Sequence, residues 1–281
     1  MSKIAIVTDS TAYIPKGLIE QYNISVIPLM LIWGEETYRD DIDIKPTDFY
    51  TRLQGTKIMP TTSQPTIADF KILFDRLHGE GYEILSILIS DQLSGTVSSA
   101  TQARKLTPDA TIEIVNSNTT AMELGFHVLA AARAAENGAS LAECKAIAEN
   151  AQERTGIIFA VDTLEFLHRG GRIGGGARFL GTALKLKPLL EINGGSIAAL
   201  ERVRTKRKAH NRLIELIEAR VAGKKNIRLA TLNANAVDEA QALLDQANGN
   251  MEVVESVFAE VSPVIGVHVG PGTVGLAYMY D

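Results

Sequence analysis

The chain has 281 residues, 46% of them apolar, and a formal net charge of −5. That length supports one large core or two of ordinary size, and the mild acidity gives no general affinity for nucleic acid. Its one cysteine, Cys144, excludes an internal disulfide framework and a cysteine-built zinc site. Residues 4–7 are a short apolar run closed by T-D-S-T, the pattern of a buried parallel strand. Asp9 interrupts that run too early for a signal peptide, and no stretch reaches the roughly 18 apolar residues of a membrane span. A cytoplasmic location is therefore expected.

Pro15 opens a short helix, and 24–33 is a long β-rich run. An acidic loop follows, with Glu35, Glu36, Asp40, Asp41 and Asp43. Residues 66–78 carry Ile67, Phe70, Leu73, Phe74 and Leu77 at helical spacing, and Gly79 and Gly81 can stop that helix. A buried strand over 84–89, a helix over 94–106 and a strand over 111–115 come next. Helices over 119–136 and 140–154 follow. Strand alternating with helix predicts a doubly wound parallel sheet with helices on both faces.

The pattern changes near residue 155. A strand over 157–161 leads to the glycine-rich basic stretch R-G-G-R-I-G-G-G-A-R. Runs over 189–192 and 196–203 flank N-G-G and predict a hairpin. A basic helix over 205–221, strands over 227–232, 252–258 and 273–280, and a helix over 237–247 predict a second α/β unit with a mixed or antiparallel sheet. The expectation is two domains, 1–155 and 156–281, with a ligand in the cleft between them.

Two motifs imitate nucleotide sites and fail. Gly270, Gly272 and Gly275 form G-x-G-x-x-G, but no helix can follow in the six residues that remain. Gly176 to Thr182 resembles a phosphate loop without its lysine. The five histidines, at 78, 127, 168, 210 and 268, show no metal-ligand spacing, so no metal is expected.

Two hydroxyl clusters stand out: M-P-T-T-S-Q-P at 59–65 and L-S-G-T-V-S-S at 93–99. Alone, Ser94 fits a helix N-cap, and Thr61, Thr62 and Ser63 fit turn residues between Pro60 and Pro65. The functional alternative is capture of a small anion at two strand ends. Neutral hydroxyls suit a carboxylate better than a phosphate, which favours arginine or lysine. Two segments are rich in cations and hold no acid. Residues 169–187 carry Arg169, Arg172, Arg178, Lys185 and Lys187; residues 202–212 carry Arg202, Arg204, Lys206, Arg207, Lys208 and Arg212. These read as a solvated face or as a docking surface.

M-P-T-T-S-Q-P, L-S-G-T, R-G-G-R-I, E-R-V-R-T-K-R-K-A and V-I-G-V-H-V-G-P-G occur in that order, from I-V-T-D-S-T to the final strand. This series resembles the DegV family. The resemblance implies a fatty-acid-binding protein of two α/β domains, similar to the lipid-binding subunit of bacterial fatty acid kinase. It implies a long-chain fatty acid as ligand, no other cofactor and no turnover by this chain. A separate kinase would phosphorylate the carboxylate, and the acyl phosphate would enter phospholipid synthesis. By position, the carboxylate site corresponds to Thr62 with Thr61, Ser94 with Gly95, and His268. Kinase contact corresponds to Arg172 and Arg204, with Arg169 and Arg202 beside them. A transient anionic membrane contact is compatible with this reading, and nucleic acid is not expected as a partner. Candidate walls for the acyl chain are Leu124, Phe126, Leu129, Ile158, Phe159, Leu164, Leu167, Phe179 and Leu180. The competing reading is an acyl hydrolase or transferase using Ser94 and His268.

Overall fold

The computed structural model describes residues 3–179 and 186–281. Leu180, Gly181, Thr182 and Lys185 lie outside the described residues. The chain runs β1 (Lys3–Asp9), α1 (Lys16–Gln21), β2 (Ser25–Ile27), β3 (Met30–Trp33), β4 (Glu36–Arg39), α2 (Pro46–Gly55) and β5 (Thr61–Ser63). Then come α3 (Ile67–Gly79), β6 (Tyr82–Leu88), α4 (Thr96–Lys105), β7 (Ile112–Asn116), α5 (Ala121–Glu136) and α6 (Leu141–Ala151). The rest is β8 (Thr155–Ala160), α7 (Glu165–Arg169), β9 (Lys187–Asn193), β10 (Ser196–Val203), α8 (Lys206–Val221), β11 (Ile227–Asn233), α9 (Val237–Asn250), β12 (Val253–Val257), α10 (Pro263–Val269) and β13 (Val274–Met279).

A parallel sheet has the order β2-β1-β6-β7. Side chains alternate across it. Ala5, Val7, Ile84 and Leu88 pack with Phe70 and Phe74 of α3 and Ala100 of α4. Ile6, Leu85 and Ile87 face the other way, toward α5 and α6. Both faces are covered, which is why these strands read as continuous apolar runs.

A mixed sheet has the order β10-β9-β8-β13-β11-β12, parallel only between β11 and β12. Ile158, Leu189, Leu229 and Leu276 pack beneath α8 and α9. Phe159, Leu190 and Leu232 face α5. That helix is buried without a break from Ala121 to Leu129 and packs on both sheets, its two ionisable residues there, Glu123 and His127, buried with the apolar ones. Leu124, Phe126 and Leu129 are therefore core between the layers, and Ile158 lies on the far face of the mixed sheet.

The β-rich run 24–33 is two strands. Pro28 has no N–H to continue a ladder, so β2 joins the parallel sheet and β3 joins a small antiparallel sheet, β4-β3-β5. Three helices were not read from the sequence, α2, α7 and α10; α2 and α10 each have a proline in the first turn. The acidic loop is partly β4, and its Asp40 is buried. The T-T-S segment is an edge strand, with Thr62 opposite Leu31. Prolines at 60 and 65 keep it to three residues.

Candidate functional site

A cavity lies between β5, the loop before α4, the start of α5, the β9–β10 hairpin and α10. Its walls are mostly apolar and include Ile89, Phe159, Leu167, Ile192, Ile197 and Leu232. Of the wall candidates named from sequence, Phe159 and Leu167 line it. Thr62, Ser94, Arg172 and His268 also line it, although they come from four separate segments.

Strand geometry places Thr62. Its neighbour Thr61 points to the opposite side of β5 and is exposed. Thr62 Oγ1 lies 2.9 Å from His268 Nε2, across 206 positions of sequence.

Helix α10 delivers His268 in its last turn. Its start is fixed by Asp40, whose Oδ1 accepts from the Val264 amide at 3.0 Å. Asp40 Oδ2 accepts from the hydroxyls of Ser262 and Ser10, both at 2.7 Å. Burial still raises the Asp40 carboxyl to about 6. The helix ends at Gly270, with φ 74, where any Cβ would overlap the Phe166 ring. Gly270 and Gly272 thus turn the chain into β13, and the G-x-G-x-x-G pattern opens a strand.

His268 is buried, and burial, aided by the Arg172 charge, lowers its pKa to about 4. It is neutral at pH 7. Its Nδ1 is buried against Gly170 and has no hydrogen-bond partner among the described residues. A hydrolase needs the opposite arrangement, with Nε2 on the nucleophile and an acceptor at Nδ1. Here Nε2 is bonded to Thr62, and Ser94 Oγ pairs with Thr96 Oγ1 at 2.8 Å. The geometry does not assemble a Ser94–His268 nucleophile pair.

Ser94 is not the cap of α4; that position is Gly95, and no side chain caps the helix. A Cβ on Gly95 would lie 3.1 Å from the Gln64 side chain, so glycine lets the two hydroxyl segments close on each other. Arg172 joins the group from the R-G-G-R stretch. Its Nε donates to Leu93 O at 3.1 Å and its Nη1 to Gly170 O at 2.7 Å. Sequence reading missed Gln64 and Thr120, which line the cavity. The Thr120 hydroxyl is buried there without a partner among the described residues.

The basic segments look different once folded. Arg169 pairs with Glu165, Lys187 with Asp162, Lys206 with Asp162 and Glu239, and Arg212 with Glu201 and Glu215. The missing acids come largely from other segments. Among the described residues, Arg172, Arg202 and Arg204 have no carboxylate partner. Arg202 lies 5.0 Å from the Phe179 ring centre. Arg204 is exposed just after β10 and does not line the cavity. Among the described residues, no group of His, Cys, Asp or Glu is arranged to hold a metal, and no helix is long and apolar enough to cross a membrane.

A family model described as "Uncharacterised protein, DegV family" matches residues 3–281. A DegV domain-containing protein of Halalkalibacterium halodurans is 35% identical over 282 residues, covering 100% of both chains. The chain superposes on a DegV-family protein of Thermus thermophilus, described as binding fatty acid, with TM-score 0.95, 35% identity and 100% of both chains covered. For DegV of Bacillus subtilis, described as a fatty acid binding protein, the TM-score is 0.91 at 34% identity, again over 100% of both chains. This chain belongs to the DegV family.

Proposed function

We propose that this DegV-family chain binds one long-chain fatty acid between two units, 1–155 and 156–281, and presents its carboxylate to a separate ATP-dependent kinase. One observation carries the reading: Thr62, Ser94, Arg172 and His268 converge on a mostly apolar cavity. The solved relatives described as binding fatty acid support the same ligand class.

The energetics divide the work. About fifteen methylenes gain on the order of 12 kcal/mol gross on burial, at ~0.8 per CH₂. Immobilising the chain takes back part of that. A carboxylate buried without donors costs several kcal/mol. The hydroxyls of Thr62 and Ser94, the Gly95 amide and the Arg172 guanidinium supply those donors. Neutral His268 acts through Thr62. With its proton on Nε2 it donates to Thr62 Oγ1, which leaves the threonine O–H free for the carboxylate. A bound carboxylate pushes the histidine pKa back up.

In this reading the chain has no turnover of its own and uses no cofactor beyond its lipid. The kinase brings ATP and metal, and the acyl phosphate passes to phospholipid synthesis in the cytoplasm. Arg172, Arg202 and Arg204 face the acidic partner or, during lipid exchange, an anionic membrane. The test is mass spectrometry of organic extracts of the purified protein. Intact fatty acid near one per chain is expected; an acyl adduct on Ser94 would overturn the carrier reading. For the kinase step, Arg204→Ala should keep its lipid and melting temperature, yet form acyl phosphate roughly tenfold more slowly, because charge steering sets association rate. Unchanged kinetics with the partner would remove Arg204 from the docking surface.

A further inference from the structure

A second cavity shares a wall with the acyl cavity. Thr62, Arg172 and His268 line both. On its other side stand Thr61, Phe166 and Arg169. A carboxylate that reaches Thr62 from the apolar side therefore sits at a partition, with the side cavity beyond it.

The charges in that side cavity are cationic. Arg172 is half-buried and held by two carbonyl oxygens, with no carboxylate partner among the described residues. Its charge is uncompensated where it faces both cavities. Arg169 pairs with Glu165 at 2.7 Å, but the two side chains are 55% and 56% exposed. A pair so exposed is weak, and a dianion can compete for the guanidinium. Two guanidinium groups suit a phosphoryl group better than a carboxylate. They are planar and multidentate, and a phosphoryl group offers three acceptor oxygens and up to two charges.

We infer that the side cavity is an oxyanion subsite that receives the phosphoryl group of a long-chain acyl phosphate, with Arg169 and Arg172 as its cations. The inference rests on the fatty-acid reading above. In the step it serves, a carboxylate oxygen attacks the γ-phosphorus of ATP held by the partner. The new O–P bond forms, the bond from the γ-phosphorus to the bridging oxygen breaks, and ADP leaves with that electron pair. The carboxylate enters ionised, so no proton is transferred. The acyl chain need not move: the new group extends through the partition, away from the apolar walls. Arg169 thereby becomes a product-binding residue and not a docking residue.

The test compares two ligands on the delipidated full-length protein: palmitate, and a long-chain acyl phosphonate in which a P–C bond replaces the labile P–O bond. Arg169→Gln should weaken the phosphonate roughly tenfold or more, the loss of one charged hydrogen-bonding partner. Palmitate affinity should stay within twofold and the melting temperature should not change. Added salt should weaken the phosphonate more than palmitate. Equal losses for both ligands, or no loss for either, would overturn the subsite. Slower phosphorylation by the kinase with unchanged phosphonate affinity would overturn it too and return Arg169 to the docking surface. A parent protein that binds neither ligand would sink the fatty-acid reading itself. Tight palmitate binding with phosphonate affinity indifferent to Arg169 would sink the subsite alone.

Discussion

Replacing Thr62 with valine keeps the branched shape of the side chain and removes one oxygen. In the free protein that breaks the 2.9 Å contact with His268 Nε2. Nδ1 of the same ring already lacks a partner among the described residues, so the imidazole would be buried with both nitrogens unmatched. The cost should be about 1–3 kcal/mol, the range for a buried polar group left unsatisfied. In the proposed complex the bound state loses more, because the missing hydroxyl would also donate to the ligand's charged carboxylate. A charge-assisted hydrogen bond is worth about 1.5–3 kcal/mol, or roughly 10- to 150-fold in Kd. Titration calorimetry of palmitate into delipidated protein measures the affinity, and thermal melts measure the stability. Thr61→Val is the internal control, since its side chain is exposed on the opposite side of the same strand; it should change palmitate affinity less than twofold. The reasoning fails if Thr62→Val binds palmitate as well as the parent, or if Thr61→Val costs as much.

Two further predictions concern titration and packing. Burial raises the Glu123 carboxyl from its ordinary 4.5 to about 7, even though Thr119 and Thr155 donate to it. Its stabilisation is thus present in full below about pH 4.5 and is lost as pH rises through 7. Melts from pH 4.5 to 8 should show the parent losing on the order of 3 kcal/mol relative to Glu123→Gln. His268 has the opposite sign: its pKa is depressed, so its stabilisation is present above about 6.5 and is lost as pH falls through about 4. His268→Gln should remove that acid-side loss, and parallel pH profiles for parent and variant would refute either assignment. Gly170→Ala places a Cβ on top of His268 Nδ1 at a backbone conformation, φ −73, that alanine accepts. The ring must shift, so retained lipid should fall about as far as in Thr62→Val; a variant that copurifies with full lipid would contradict that packing.

Much of the fold was legible in the sequence. Residues 4–7 lie in β1 and 84–88 in β6, with Ile89 just past its end, because a strand covered on both faces is apolar at nearly every position; the buried Ser86 is the exception. The helix over 66–78 matches α3, where Thr66 and Asp69 form the capping box. The N-G-G hairpin joins β9 and β10. Where reading failed, a local signal was outweighed. Pro28 split one β run between two sheets. Helices α2 and α10 are short and begin at prolines, and the first-turn meaning of those prolines was the available cue. Ser94 looked like a helix cap, yet the chain reaches α4 one residue later and leaves that hydroxyl to Thr96.

By itself the sequence determined which chemistry was on hand: hydroxyls in two clusters, one histidine near the end, and cations without local acids. Periodicity and turn propensity act over a few residues, and those features survive in any fold the chain adopts. Only the tertiary structure decided which hydroxyl faces the cavity. Thr61 and Thr62 are chemically alike, and the pairing of β5 with β3 alone sets which one turns inward. The structure also decided the charge of His268, because burial beside Arg172 is a property of packing. It decided which cations stay uncompensated as well. Lys206 and Lys187 share Asp162, while Arg172 is held by carbonyl oxygens and, among the described residues, by no carboxylate. The cause is the same in each case: a buried polar group takes its energy from whatever stands within a few ångströms, and chain separation does not enter that distance.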